Sequence, residues 1–194
     1  MGKIYSTPLF FQVIIDRMNL HCYSILLAVG LLAGPARLLA ESTVQVEFIP
    51  RTPDQMGAFY EARGFPTPML DLLSKQCFIT VRIHNTGQQT IWLDLDSWEF
   101  SSGGKPLRRF HRNHWKPIWK NMQIPMAKQS TFRWTLLPEK LDYQPQEVEG
   151  GNIILPRVST PISLKARFAT DSDQQGPVIT YTNDTLQCAY DSPE

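Results

Sequence analysis

Between Lys105 and Lys120 the chain reads Lys-Pro-Leu-Arg-Arg-Phe-His-Arg-Asn-His-Trp-Lys-Pro-Ile-Trp-Lys, with six cations and no carboxylate in 16 residues. Arg108, Arg109, Arg112, Trp115, Lys116 and Trp119 form the candidate ligand-binding set in this stretch. Cations at this density make a local positive surface suited to lipid headgroups, acidic polysaccharide, phosphate or an acidic protein. Tryptophans among them offer rings that stack on sugars or bases, or that seat at a membrane interface. The bland alternative is a long loop whose tryptophans pack inward while its charges stay in water beside Asp94, Asp96 and Glu99.

His111 and His114, with His84, Met122 and Met126 as further donors, would make a soft ligand set appropriate to copper. That signal is weak. A three-residue spacing brings two imidazoles together only on a helical turn, neither histidine has an adjacent carboxylate to orient it, and the neighbouring cations oppose a metal ion. No cofactor is expected.

Catalytic patterns are sparser still. The chain has no Gly-x-Ser-x-Gly, no His-Glu-x-x-His, no P-loop and no dinucleotide glycine pattern. Asp94 and Asp96, with Glu99 beyond, stand at i and i+2 of an alternating segment, about 7 Å apart on one strand face. Such a pair could hold calcium or serve a glycosidase, but a solvated strand face is the commoner outcome. No catalytic residue is assigned.

The environment in which these residues work is set by the N-terminal sequence. Tyr23 to Gly34 is a 12-residue apolar run, broken at Pro35 and followed by Ala36 and Leu38-Leu39-Ala40. It has the length of a signal-peptide core and is too short to span a bilayer. Residues 1–40 are therefore read as a signal peptide cleaved after Ala40, against the alternative of an uncleaved membrane anchor. A start at Met18 would give a leader of more ordinary length. Cleavage leaves 154 residues as one domain, 41–194. Loss of Lys3, Arg17, Arg37 and Asp16 leaves 16 Lys and Arg against 17 Asp and Glu, so nucleic acid is the least favoured partner. Three cysteines become two, and in an oxidising compartment Cys77 and Cys188 are expected to form a disulfide. A loop of about 110 residues would be closed, worth roughly 4 to 5 kcal/mol by the chain-entropy argument.

Period-two alternation is the main fold signal. Thr43–Ile49 alternates, with Val44, Val46 and Phe48 on one side. Cys77, Ile79, Val81 and Ile83 share a face that puts Cys77 in the core. Ile91, Leu93 and Leu95 form another strand, joined to the previous one through Asn85-Thr-Gly-Gln as an expected hairpin. Phe132, Trp134 and Leu136 alternate as a further strand, as do Ile162, Leu164, Ala166 and Phe168. Shorter strands are expected at 98–101, 105–110, 152–155, 178–182 and 186–190, and Gly150-Gly151-Asn152 reads as a turn. The result is a mainly β domain of two antiparallel sheets packed as an immunoglobulin-like sandwich. A helical insertion at 52–74 separates the first two strands: Thr52-Pro53-Asp54-Gln55 is a capping box with proline at the first helical position, and Gly64 stops that helix. Its Phe59, Tyr60 and Phe65 are expected either to cap the core or to form a lid. The segment 105–128 is read as the basic-aromatic loop.

The function expected from these residues is that of an exported, non-enzymatic binding or assembly module. Its partner would be a protein or an anionic envelope component, with membrane contact only through the leader or a peripheral patch. An exported hydrolase and a periplasmic copper-binding protein are the alternatives.

Overall fold

The computed structural model describes residues 43–191. The leader, its cleavage site and the choice of start lie outside the described residues. The chain is mainly β, with two antiparallel sheets and a few helices. In the first sheet β2 (Gln76–Asn85) is central, flanked by β1 (Val44–Arg51) and β7 (Val148–Pro156). In the second, β8 (Ile162–Thr170) pairs with β9 (Ile179–Leu186) and with both β3 (Ile91–Asp94) and β4 (Glu99–Ser102). Two short strands extend it, β6 (Lys140–Tyr143) on β3 and β5 (Lys105–Pro106) on β4.

Strand alternation sorts the core. Cys77, Ile79, Val81 and Ile83 of β2 are buried in one cluster with Leu93, Leu164, Ala166 and Phe168 of the other sheet. Phe78, on the opposite face of β2, pairs with Ile154 of β7. These two residues belong to a second cluster, built with the helices. At the end that holds Phe78 and Ile154 the first sheet is therefore apolar on both faces. That explains why β2 carries Cys-Phe-Ile in succession, a continuous run expected of a strand covered on both sides.

The expected helical insertion is present as α1 (Pro53–Glu61) and α2 (Thr67–Leu73). Thr52 and Gln55 make the reciprocal capping box, and Gly64 takes a φ of 66° just beyond the helix. Phe65 is buried, Tyr60 fully so, and both lie in the second cluster. These aromatics are core residues, and the lid alternative is set aside.

Four sequence expectations are corrected. The segment Thr131–Leu136 is no strand: α4 (Met126–Thr135) follows Pro125 and buries only Phe132 on its inner side. Alternation of Phe132, Trp134 and Leu136 imitated a strand, whereas the helix-forming run Met-Ala-Lys-Gln after a proline sets the true period. The basic-aromatic loop is likewise a 3-10 turn (Arg112–His114), α3 (Trp115–Asn121) and the start of α4. Gly150 and Gly151 sit inside β7, opposite Arg82 and Val81. A Cβ on Gly151 would lie 2.5 Å from the Leu137 nitrogen, so glycine marks close backbone approach there and no turn. Finally, β2 and β3 form no hairpin, because they belong to different sheets. The connection arches between sheets around buried Asn85, whose Nδ2 donates to the carbonyls of Gln89 (2.7 Å) and Tyr143 (3.0 Å) while its Oδ1 accepts from the Gly87 amide.

Cys77 and Cys188 form a disulfide-compatible pair, with Cα atoms 5.3 Å apart. Cys188 lies just beyond β9, so the pair ties the end of the chain to the start of β2.

Candidate functional site

The basic stretch begins at β5, leaves the second sheet, and reaches the first through the Phe110 amide, which donates to the Ile154 carbonyl of β7. It then winds into the 3-10 turn and α3. Period 3.6 now divides its residues. Trp115 and Trp119, four apart, both face the interior at 2% exposure and stack with ring centroids 5.4 Å apart. Phe132 of α4 meets each of them edge-on at 5.4 and 5.2 Å. The two tryptophans expected at the ligand surface are thus the centre of the second core. Their i, i+4 spacing is the helical signal that the loop reading overlooked. Lys116 and Lys120, also four apart, occupy the exposed side of α3.

The arginines divide as well. Arg108 is exposed. Arg109 is nearly buried and held by Glu139: its Nη1 is 3.2 Å from Oε1 and its Nη2 2.5 Å from Oε2. Arg112 donates its backbone amide to Glu139 Oε1 (2.6 Å) and its Nη2 to the carbonyl of Arg133 (2.6 Å). Partial burial, and then the nearby Arg133 guanidinium, lower the Arg112 pKa; Glu139 acts in the opposite direction. Arg133 reaches Asn113 Oδ1 at 3.1 Å. Two guanidinium groups therefore lie side by side where α4 meets the 3-10 turn.

The acidic triplet is dispersed among separate cations. Strand β3 ends at Asp94, and a 3-10 turn over Leu95–Ser97 follows, so Asp94 and Asp96 do not share a strand face. Asp94 bonds Lys140 Nζ at 2.8 Å, raising the Lys140 pKa through that hydrogen bond and the attached charge. Asp96 turns toward Arg109 (3.8 Å) and Glu99 toward Arg167 (3.0 Å). The paired-carboxylate geometry expected of a glycosidase or calcium site is absent among these three residues.

His111 and His114 also part company. His114 stacks on Phe110, centroids 4.6 Å apart, whereas His111 Nε2 points toward Glu139 at 3.8 Å. One ligand atom each from Asp96, His111 and Glu139 lies within 4.8 Å of the others. Arg109 already occupies the two carboxylates. His111 Nδ1 accepts the Asn113 amide proton, which leaves the imidazole proton of the neutral ring on Nε2. The donor set is that of an ion-pair network and does not fit a metal. Met122 packs against the second core and Met126 is exposed at the start of α4.

Beside this network runs an open groove of about 1390 Å³. Phe100, Leu107 and Phe110 line its apolar part; Asp96, Arg108, His111 and Lys165 are among its polar residues. On the helical side, Trp134 is 84% exposed and Met126 72% exposed, on the outer side of α4. Sequence reasoning had placed Trp134 in a strand core and had not singled out Arg133 or Glu139. The carboxylate-free interval from Phe100 to Pro138, which holds eight Lys and Arg, was the available signal for the larger surface.

No protein family matches the chain. Nor does any curated protein. Among solved structures, a putative lipoprotein (ycdA) from Bacillus subtilis aligns at 13% identity and a TM-score of 0.35, over 57% of this chain and 30% of its own. A FixG-related protein from Vibrio parahaemolyticus aligns at 8% identity and a TM-score of 0.34, over 76% of this chain and 98% of its own. The chain thus spans less than a third of the length of the Bacillus protein. Among the described residues, no helix is long and apolar enough to cross a membrane.

Proposed function

We propose that residues 41–194 form an exported, non-enzymatic binding module on an immunoglobulin-like β-sandwich, engaging an anionic partner through the basic layer of α3 and α4. The sandwich reading is supported by one core shared between the inward faces of two sheets. Export is supported by the apolar leader and by the disulfide-compatible pair. One observation carries the binding reading: from Phe100 to Pro138 there are eight cations and no carboxylate, and Arg108, Lys116, Lys120 and Arg133 among them are exposed. Local excess charge of one sign attracts a partner of the other, whatever the net charge of the domain. Within the original set, Arg108 and Lys116 are the contact residues, while Arg109, Trp115 and Trp119 hold the surface in place.

The test is retention of the full chain on an immobilised polyanion such as heparin. Charge reversal at Arg108, Lys116 and Lys120 is expected to abolish salt-sensitive retention without lowering the melting temperature. Unchanged elution by the folded variant would overturn the reading.

The hydrolase alternative keeps one specific observation in its favour, the concave groove where Asp96 and His111 meet. It requires turnover of a glycoside or peptide substrate that is lost in Asp96→Asn and His111→Ala. Activity indifferent to both substitutions would end it.

A further inference from the structure

We propose that the outer face of α4, with Trp134 at its centre, seats on an anionic lipid surface; this rests on the basic helical layer being the binding face. Met126, Ser130 and Trp134 stand at i, i+4 and i+8 and follow one line along the helix. Phe132 faces the opposite side and fills the second core. Trp134 is not needed for packing, and at 84% exposure it projects into solvent. A protruding indole beside cations is the arrangement found at membrane interfaces, where the ring lies at headgroup level.

Charge favours the same occupant. Arg133 precedes Trp134 directly, and Arg112 is hydrogen-bonded to the Arg133 carbonyl. Lys116 and Lys120 cover the exposed side of the adjoining α3. No carboxylate contacts the Arg133 guanidinium among the described residues, its Nη1 partner being the Asn113 amide oxygen. A layer of lipid phosphates supplies the missing counter-charge over the whole patch, at about fivefold in affinity for each cation near the surface. A folded acidic protein would need a preformed pocket for a side chain that protrudes this far, whereas a lipid interface deforms around it.

The experiment uses the full chain with vesicles of phosphatidylglycerol and phosphatidylcholine, and with phosphatidylcholine alone. The leader, with its own cations Lys3, Arg17 and Arg37, is common to all variants, so the comparison between variants isolates α4. Partitioning is expected to favour the anionic vesicles, to fall about tenfold in Trp134→Ala, and to fall by at least about 100-fold in Lys116→Glu/Lys120→Glu/Arg133→Glu, which removes three cations and adds three anions. Quenching of tryptophan emission by brominated anionic lipid is expected to vanish in Trp134→Phe. Equal partitioning into both vesicles, or quenching unaffected by Trp134→Phe, overturns the proposal. Retention of the same proteins on heparin separates the two ideas. Loss of heparin retention in the triple variant with no lipid effect leaves the basic face standing and excludes lipid as its occupant. Triple-variant behaviour identical to wild type on both heparin and vesicles removes both.

Discussion

Arg109 Nη2 lies 2.5 Å from Glu139 Oε2, within a two-pronged pair that joins the strand-leaving segment after β5 to the residue just before β6. Glu139 also accepts the Arg112 amide. One carboxylate thus anchors both ends of the arginine-rich stretch, and its neighbours Lys116 and Lys120 remain in solvent because α3 is fixed from behind. Glu139→Ala would leave the nearly buried Arg109 guanidinium with only the exposed and more distant Asp96 carboxylate, 3.8 Å away, at a cost of about 3 kcal/mol. Glu139→Gln, which keeps a hydrogen-bond acceptor, is expected to cost less. Urea unfolding midpoints check both. The same logic makes Arg109→Glu unsuitable as a binding variant, because its loss of function would report unfolding.

A disulfide between Cys77 and Cys188 would make stability dependent on redox state. The cysteines are 111 residues apart in sequence, and both are buried. Reduction, or Cys188→Ser, is expected to lower stability by about 2 to 5 kcal/mol. Non-reducing peptide mapping of protein recovered from an oxidising compartment should show the two cysteines linked; free thiols at both positions would contradict the pairing.

Much of this fold was legible in the sequence, because alternation is a direct image of burial in a strand. Cys77, Ile79, Val81 and Ile83 are all inward, and Thr52 caps its helix through Gln55. Local rules were silent on which sheet a strand joins. The turn after β2 has the composition of a hairpin, yet Asn85 spends its amide on Gln89 and Tyr143 and turns the chain toward the other sheet. The site failed in a similar way. In the candidate loop, charge density was readable, but whether Trp115 and Trp119 lay inside depended on Phe132, a residue assigned to the wrong element.

Two glycines give opposite expectations. Gly151→Ala would press a methyl group onto the Leu137 nitrogen and the Leu136 carbonyl carbon, at 2.5 and 2.9 Å, where only backbone can yield. A loss of about 3 kcal/mol is expected. Gly57, inside α1, has nothing within 4 Å of its added Cβ. Gly57→Ala should gain about 0.5 to 1 kcal/mol through helix propensity. Thermal unfolding of the two variants beside wild type decides both, and a tolerant Gly151 would mean that the 136–137 segment moves freely against β7.

Alkaline pH should destabilise the domain through two buried phenols. Burial is the main cause that raises the pKa of both Tyr60 and Tyr143 far above the ordinary value of about 10. Tyr60 is hydrogen-bonded to Thr135 at 2.8 Å, whereas the Tyr143 hydroxyl has no hydrogen-bond partner among the described residues. A raised folded-state pKa means that, above about pH 10, the unfolded chain releases protons that the folded one retains. Stability is then fully present below pH 10 and declines as the pH rises toward the folded-state values. Tyr143→Phe removes a buried donor that satisfies nothing, so it should be neutral or slightly stabilising at pH 7 and should flatten the alkaline decline. Tyr60→Phe should flatten it too, but at a cost of about 1 kcal/mol at pH 7, because it surrenders the bond to Thr135. Urea unfolding of the three proteins between pH 7 and pH 11 separates these outcomes, and a decline of equal slope in all three would show that neither phenol governs it.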